Sequence, residues 1–245
     1  MGKTLIEKIT TASSTLDDSD FLYAMNASED KRIAYSNLKQ QIANAVGDGI
    51  GDVDGGNYTS FESDGTVVFN GDATVWEDVN IGPLSLGSGN TKPGTVQILG
   101  TGGAATGVYT LGFDVNEEVS GIIEVPHCYK EGSDFQFHVH WSGNSAPSGI
   151  DYVKWQLEYF IVGENAVIPA AQTITVESAY DTQYERITSS FALIDGTGVG
   201  MGSQFGFTLK RIAAAGDAYS GDAVAHTIGI HFEQDTVGSR GIISK

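Results

Sequence analysis

Hydrophobic and polar positions alternate with a period of two across the second half of this 245-residue chain. Phe135, Phe137, Val139 and Trp141 alternate with Gln136, His138 and His140; after 142–149, Val153, Trp155, Leu157 and Tyr159 alternate with Lys154, Gln156 and Glu158. Successive side chains of an extended chain point to opposite faces, so each run is a strand with one buried aromatic face. The two read as a long hairpin whose apolar face meets a second sheet. Further strands are expected at 66–69, 73–76, 119–125, 172–177, 186–193, 204–212 and 224–233. The first of these ends at Asn70-Gly71, a hairpin-type turn pair, and 119–125 is stopped by Pro126. The stretch 82–107, rich in Gly, Ser, Thr and Asn, reads as long surface loops. About eight strands without a fixed repeat predict a mostly β chain with a jelly-roll-like antiparallel β-sandwich, and disfavour a propeller or solenoid.

The pattern is different before residue 60. Phe21–Met25 reads as a strand, with Lys31–Tyr35 as its return partner across a turn at Ser28–Asp30. Ser36 is an N-cap candidate, Leu38, Ile42 and Ala45/Val46 recur at helical spacing, and Gly47 ends the run. Such a β-β-α unit is too small for a core of its own and needs another chain to pack against. Next comes a Gly/Asp-rich stretch of linker composition. Its Asp48, Asp52 and Asp54 lack the alternating ligand set and closing Glu of a calcium loop. The expected organisation is an attachment segment at 1–46, a linker at 47–60 and a β-sandwich head at 61–245. A segment, a spacer and a β head is the layout of a rod or fibre subunit.

Composition narrows the partners. A hydrophobic content of 40% supports a core, and 32 Gly with 18% charged residues agree with many turns. The formal net charge of −18 disfavours nucleic acid, whose phosphates need Lys and Arg, and equally an anionic membrane surface. The single cysteine, Cys128, excludes an intrachain disulfide and reads as an ordinary small thiol. No apolar h-region opens the chain and no apolar run is long enough to span a bilayer, so synthesis in a cytoplasm without membrane insertion is expected.

Two stretches carry a resemblance. Asp20-Phe21-Leu22 followed by Lys31-Arg32-Ile33-Ala34-Tyr35-Ser36-Asn37-Leu38-Lys39 is similar to the anchor segment that opens many tailed-phage fibre and spike proteins. From 72 onward the landmarks are Asp72–Asp78, Val125–Gly132, Phe137-His138-Val139-His140-Trp141, Trp155–Tyr159 and His231–Arg240. Together they resemble a family of phage-encoded virion proteins. The resemblance implies an oligomeric virion structural protein, made in the host cytoplasm, whose residues 1–46 join other virion proteins. It supplies no catalytic residue and no receptor.

The histidines are the candidate ligands. His138 and His140 share the strand face opposite the Phe/Trp face, and imidazoles two residues apart on a strand can share one metal ion. In a homotrimer three such pairs would place six nitrogens around an axis, an octahedral site for a transition metal, as the resemblance to phage fibres implies. Hydrogen-bonded His at a sheet or subunit surface is the commoner arrangement. His127 and His231 would join the same patch if their strands are neighbours.

Enzymatic readings find little. There is no Gly-x-Ser-x-Gly elbow, and Gly196-Thr197-Gly198-Val199-Gly200 lacks the Lys and helix of a phosphate loop. Glu117 and Glu118 read as solvated charges, and Tyr109, Tyr152, Tyr180 and Tyr184 as exposed aromatics able to stack on sugars. A glycan-cleaving spike would call for a parallel β-helix with clustered carboxylates. The sequence therefore predicts a non-enzymatic, homotrimeric fibre- or spike-type subunit displaying a β head towards a host-surface glycan or protein. A capsid decoration or head-fibre protein that stabilises or extends the shell is the alternative.

Overall fold

The structure is a computed structural model. It describes residues 21–26, 29–34, 50–52, 55–62, 65–216 and 218–242, the first two stretches by their backbone. The chain divides into two compact units, Met1–Ala73 and Thr74–Lys245.

In the N-terminal unit, β1 (Phe21–Asn26) pairs antiparallel with β2 (Glu29–Ala34), with Phe21 opposite Ala34 and Asn26 opposite Glu29. The expected hairpin forms, and Glu29 and Asp30, expected in its turn, belong to the ladder. The helix expected over 36–46 lies outside the described residues. Where the sequence suggests a spacer, β3 (Ile50–Asp52) and β4 (Asn57–Phe61) pair with each other, and β4 pairs with β5 (Val67–Phe69). Asn70-Gly71 does not close a hairpin with the strand that follows, contrary to expectation. It opens a 3-10 turn, Gly71–Ala73, fastened by the Asp72 amide donating to Asn57 Oδ1 at 2.8 Å. Gly71 has φ +55°, and a Cβ there would lie 2.3 Å from Asn57 Oδ1, so only glycine fits the turn.

The C-terminal unit is an antiparallel β-sandwich. Its strands are β6 (Val75–Ile81), β7 (Gly87–Ser88), β8 (Gly94–Leu99), β9 (Ala105–Phe113), β10 (Glu118–Glu124), β11 (Phe135–Gly143), β12 (Asp151–Val162), β13 (Gln172–Tyr180), β14 (Ile187–Ser190), β15 (Gln204–Ile212) and β16 (Ala223–Gln234). One sheet has the order β13-β12-β15-β10-β7. The other has the order β14-β11-β16-β9-β8, with β6 also pairing β16. Strand β16 is thus flanked on one side by β11 and on the other by β9 at its start and β6 at its end.

β11 and β12 do not form a hairpin. They lie in opposite sheets, and their aromatic faces meet across the core: the Trp141 and Trp155 rings are 6.4 Å apart at 66°. Alternation establishes that a strand has one buried face; it does not say whether the next strand continues the sheet or faces it. Around this pair Phe113 stands edge-on to Trp155 at 5.2 Å, and Phe137 packs on Phe205 and Phe207. Trp141 Nε1 donates to Ser189 Oγ at 2.8 Å, and Ser189 exchanges a hydrogen bond with Ser178 of the opposite sheet at 2.8 Å. Tyr180, expected at the surface, is fully buried between Trp141 and Tyr219, with its hydroxyl donating to the Ser145 carbonyl. The stretch 82–107 holds β7, β8 and the start of β9 in place of loops alone.

Arg211 has the inward parity of β15 and is 1% exposed. Its Nη1 donates to the carbonyls of Phe113 and Gly221, each at 2.6 Å, and its Nη2 to that of Tyr219. Burial lowers its pKa below the usual guanidinium value, and Asp114 and Asp222 oppose that shift. The side chain ties the end of β9, through the Phe113 carbonyl, to the segment that leads into β16, through those of Tyr219 and Gly221.

Candidate functional site

The histidine face lies on the outside of the β11–β16–β6 ladder. On β6, Val79 and Ile81 pack against the core, so Trp76, Asp78 and Asn80 take the opposite face. On β16, Ile228, Ile230 and Phe232 are buried, leaving Gly229 and His231 on the outer face. His231 pairs directly with Asp78 across one ladder and with Gln136 across the other; Gly229 is opposite His138. Three strands remote in sequence thus bring Asp78, His138 and His231 together.

His138 is 0% exposed despite facing outward. Its ring stacks on His231 at 4.3 Å and meets the edge of His140 at 4.7 Å. Gly229 leaves the floor open: a Cβ there would lie 2.7 Å from His138 Cε1 and 2.8 Å from Asp78 Oδ1. His138 Nε2 is 3.6 Å from Asp78 Oδ2, and His231 Nδ1 is 3.9 Å from Asp78 Oδ1. Both His138 ring nitrogens and Asp78 Oδ1 are buried without a hydrogen-bond partner. Burial pushes the His138 pKa down to about 4; His231 and His140 add to this, and Asp78 and the Gln136 backbone oppose it. The ring is therefore neutral near pH 7, with a lone pair available.

The expected pair His138 and His140 does share a face, but the two differ in surroundings. His140 Nδ1 bonds Thr188 Oγ1 at 2.8 Å, and the group of donors within 4.8 Å of one another is Asp78, His138 and His231. Burial, with Arg186 adding, lowers the pKa of His140. His231 joins the patch as its strand position allows. His127 instead bonds Ser239 at 2.7 Å, and His226 sits at a ladder irregularity where its Nε2 meets Ser142 Oγ at 3.0 Å. Sequence reasoning missed Asp78. The nearest signal was its place in the Asp72–Asp78 landmark.

A second feature adjoins this face. Trp76 is 56% exposed and lines a depression of about 410 Å³ with Lys130, Glu131, Asp134, Leu193 and Glu233. Lys130 Nζ and Glu233 Oε2 form an ion pair at 2.6 Å. The depression combines an indole face with fixed charges of both signs. The remaining candidates are structural. Gly196–Gly200 is a turn, closed by the Val199 amide donating to the Gly196 carbonyl at 2.8 Å. Cys128 is half-buried against the core. Glu118 accepts from the Asn90 amide and lies 3.6 Å from Lys210. Among the described residues no helix is long and apolar enough to cross a membrane.

No protein-family profile matches the chain, and no curated protein matches it in sequence. Solved structures with a distant likeness to it include a family GH115 4-O-methyl-α-glucuronidase with specificity for decorated arabinogalactans, at 10% identity and TM-score 0.33, covering 62% of this chain and 17% of that one. Another is infectious bursal disease virus, Gx strain, at 5% identity and TM-score 0.34, covering 68% and 34%. A third is the module TmCBM61 in complex with β-1,4-galactotriose, at 14% identity and TM-score 0.27, covering 67% and 88%. The chain spans less than two thirds of the first two, and likenesses this distant carry no argument about function.

Proposed function

We propose that this chain is a non-enzymatic bacteriophage virion structural protein, joined to the particle by its N-terminal segment and displaying the β-sandwich for attachment to a host surface. The observation that carries the reading is the division at Ala73/Thr74 into a small N-terminal unit and a sandwich with a continuous aromatic core. It supports the anchor-and-head layout. Self-association, as a homotrimer, draws support from β9, whose first half, Ala105–Tyr109, is exposed on both faces; Val108 is 55% and Tyr109 59% exposed. A strand arm with apolar groups uncovered on both sides is suited to burial against another copy.

The attachment surface in this reading is the Trp76 depression. Exposed Trp is a costly surface residue and a frequent anchor of interfaces, and an indole beside fixed charges suits a sugar ring with its hydroxyls. Trp76→Ala should weaken binding of the purified chain to host cells at least about tenfold, with an unchanged circular dichroism spectrum. Unaltered binding would remove this surface from the proposal. A capsid decoration or head fibre uses the same architecture and differs in where the subunit sits, which a particle-level measurement separates.

A further inference from the structure

We propose that Asp78, His138 and His231 form an intrachain site for one divalent first-row transition ion, which fastens β6 to β11 and β16. This proposal is independent of the attachment reading.

Two imidazole nitrogens and a carboxylate oxygen are the donor set of zinc and related ions, with bonds near 2.0–2.2 Å. Ligand atoms sharing such an ion lie roughly 3.0–3.4 Å apart in tetrahedral or octahedral geometry. The separations here, 3.6 Å from His138 and 3.9 Å from His231, must close by about 0.2–0.9 Å, and because the two imidazole planes are stacked at 21° the half-exposed His231 ring must also turn for both lone pairs to meet one ion. The carboxylate is already oriented, because Asp78 Oδ2 accepts from Asn80 Nδ2 at 2.8 Å, as outer-shell partners do at metal sites.

A satisfied polar cluster would not leave these atoms as they are. His138 is wholly buried with neither nitrogen in a hydrogen bond of ordinary geometry, the Gln136 backbone being its one near polar contact besides Asp78 and the neighbouring imidazoles, and Asp78 Oδ1 is buried and unbonded beside it. Buried polar atoms without partners are rare and costly. One ion accounts for the buried nitrogen facing Asp78 and for the carboxylate together. Gly229 supports the assignment, since any side chain there would occupy the space between the His138 ring and Asp78 Oδ1. Asp78 and His231 are partly exposed, with side chains 24% and 36% accessible, so an ion can enter and keep water in its remaining positions.

The consequence is mechanical. β6 is the first strand after the boundary at Ala73/Thr74, and among the described residues its ladder partner is β16. An ion tying Asp78 to His138 and His231 adds coordinate bonds from that strand to two others.

The test uses full-length, untagged, chelator-stripped protein. Titration with cobalt(II), followed by its visible absorption, and with zinc(II), followed by calorimetry, should give one ion per chain. His231→Gln and Asp78→Asn should each weaken binding by about 100-fold or more, beyond the range for loss of an outer-shell partner. His140→Ala should change it by less than about threefold. Gly229→Ala should also abolish it. At free metal 100 times Kd the unfolded population should fall about 100-fold in the unsubstituted chain, with no such change in His231→Gln. His231 is only half-buried, and the His231→Gln variant's circular dichroism spectrum checks that it folds, so the outcome does not depend on whether His138→Ala folds. Absence of saturable binding would overturn the proposal. One ion per three chains, lost in His140→Ala, would overturn it in favour of a site between subunits.

Discussion

Trp155→Ala is expected to cost about 3–5 kcal/mol of unfolding free energy, the range for removing a fully enclosed aromatic side chain. Trp155 is 0% exposed and sits where the two sheets meet, against Phe113 and Trp141. Those neighbours belong to ladders of the opposite sheet, so the hole cannot close without moving a sheet. Its neighbour Lys154 faces outward on the same strand, opposite Glu177. Lys154→Ala should cost well under about 1 kcal/mol. A denaturant titration of both variants checks the pair of values. Equal losses would mean that β12 presents its other face to the core.

Arg211→Met is the second large effect, with an expected loss of about 3–5 kcal/mol. The variant keeps the stem's volume and removes three donors, leaving the carbonyls of Phe113, Tyr219 and Gly221 without them. The Phe113 and Tyr219 bonds are buried and that to Gly221 partly so; each buried acceptor so stranded costs about 1–3 kcal/mol. Arg211→Lys should recover only part of the loss, because a single ammonium lacks the planar fork that reaches separate carbonyls at fixed angles. Denaturant midpoints of the two variants provide the check. A loss below about 1 kcal/mol for Arg211→Met would mean that water replaces the guanidinium and that the loops do not depend on it.

The strands that carry the core were legible because their aromatic alternation has one cause, a sheet with one face buried. β10, β11, β12, β13, β15 and β16 all coincide with expected runs. Their pairing was not legible, since alternation is indifferent to which sheet a strand joins; hence the mistaken hairpin of β11 with β12. β8 and the start of β9 escaped notice for the opposite reason: their residues are largely exposed or half-exposed, so no periodic burial marks them. Arg211 did leave a trace, as a charged residue on the inward parity of Phe205, Phe207 and Leu209. The histidine face was legible for His138 and His140, which neighbour each other on one strand. Asp78 was not, because only the β6–β16 register brings it there.

Whether this chain is a component of phage particles is the claim on which the account rests. The direct measurement is imaging of purified particles from cells that produce it, with subunit counting and with antibodies raised against residues 1–46 and against the sandwich. The account predicts that the chain is present in multiples of three, with the sandwich epitopes accessible on intact particles and those of 1–46 masked. Particles that lack the chain, or that carry it with 1–46 outermost, would contradict it.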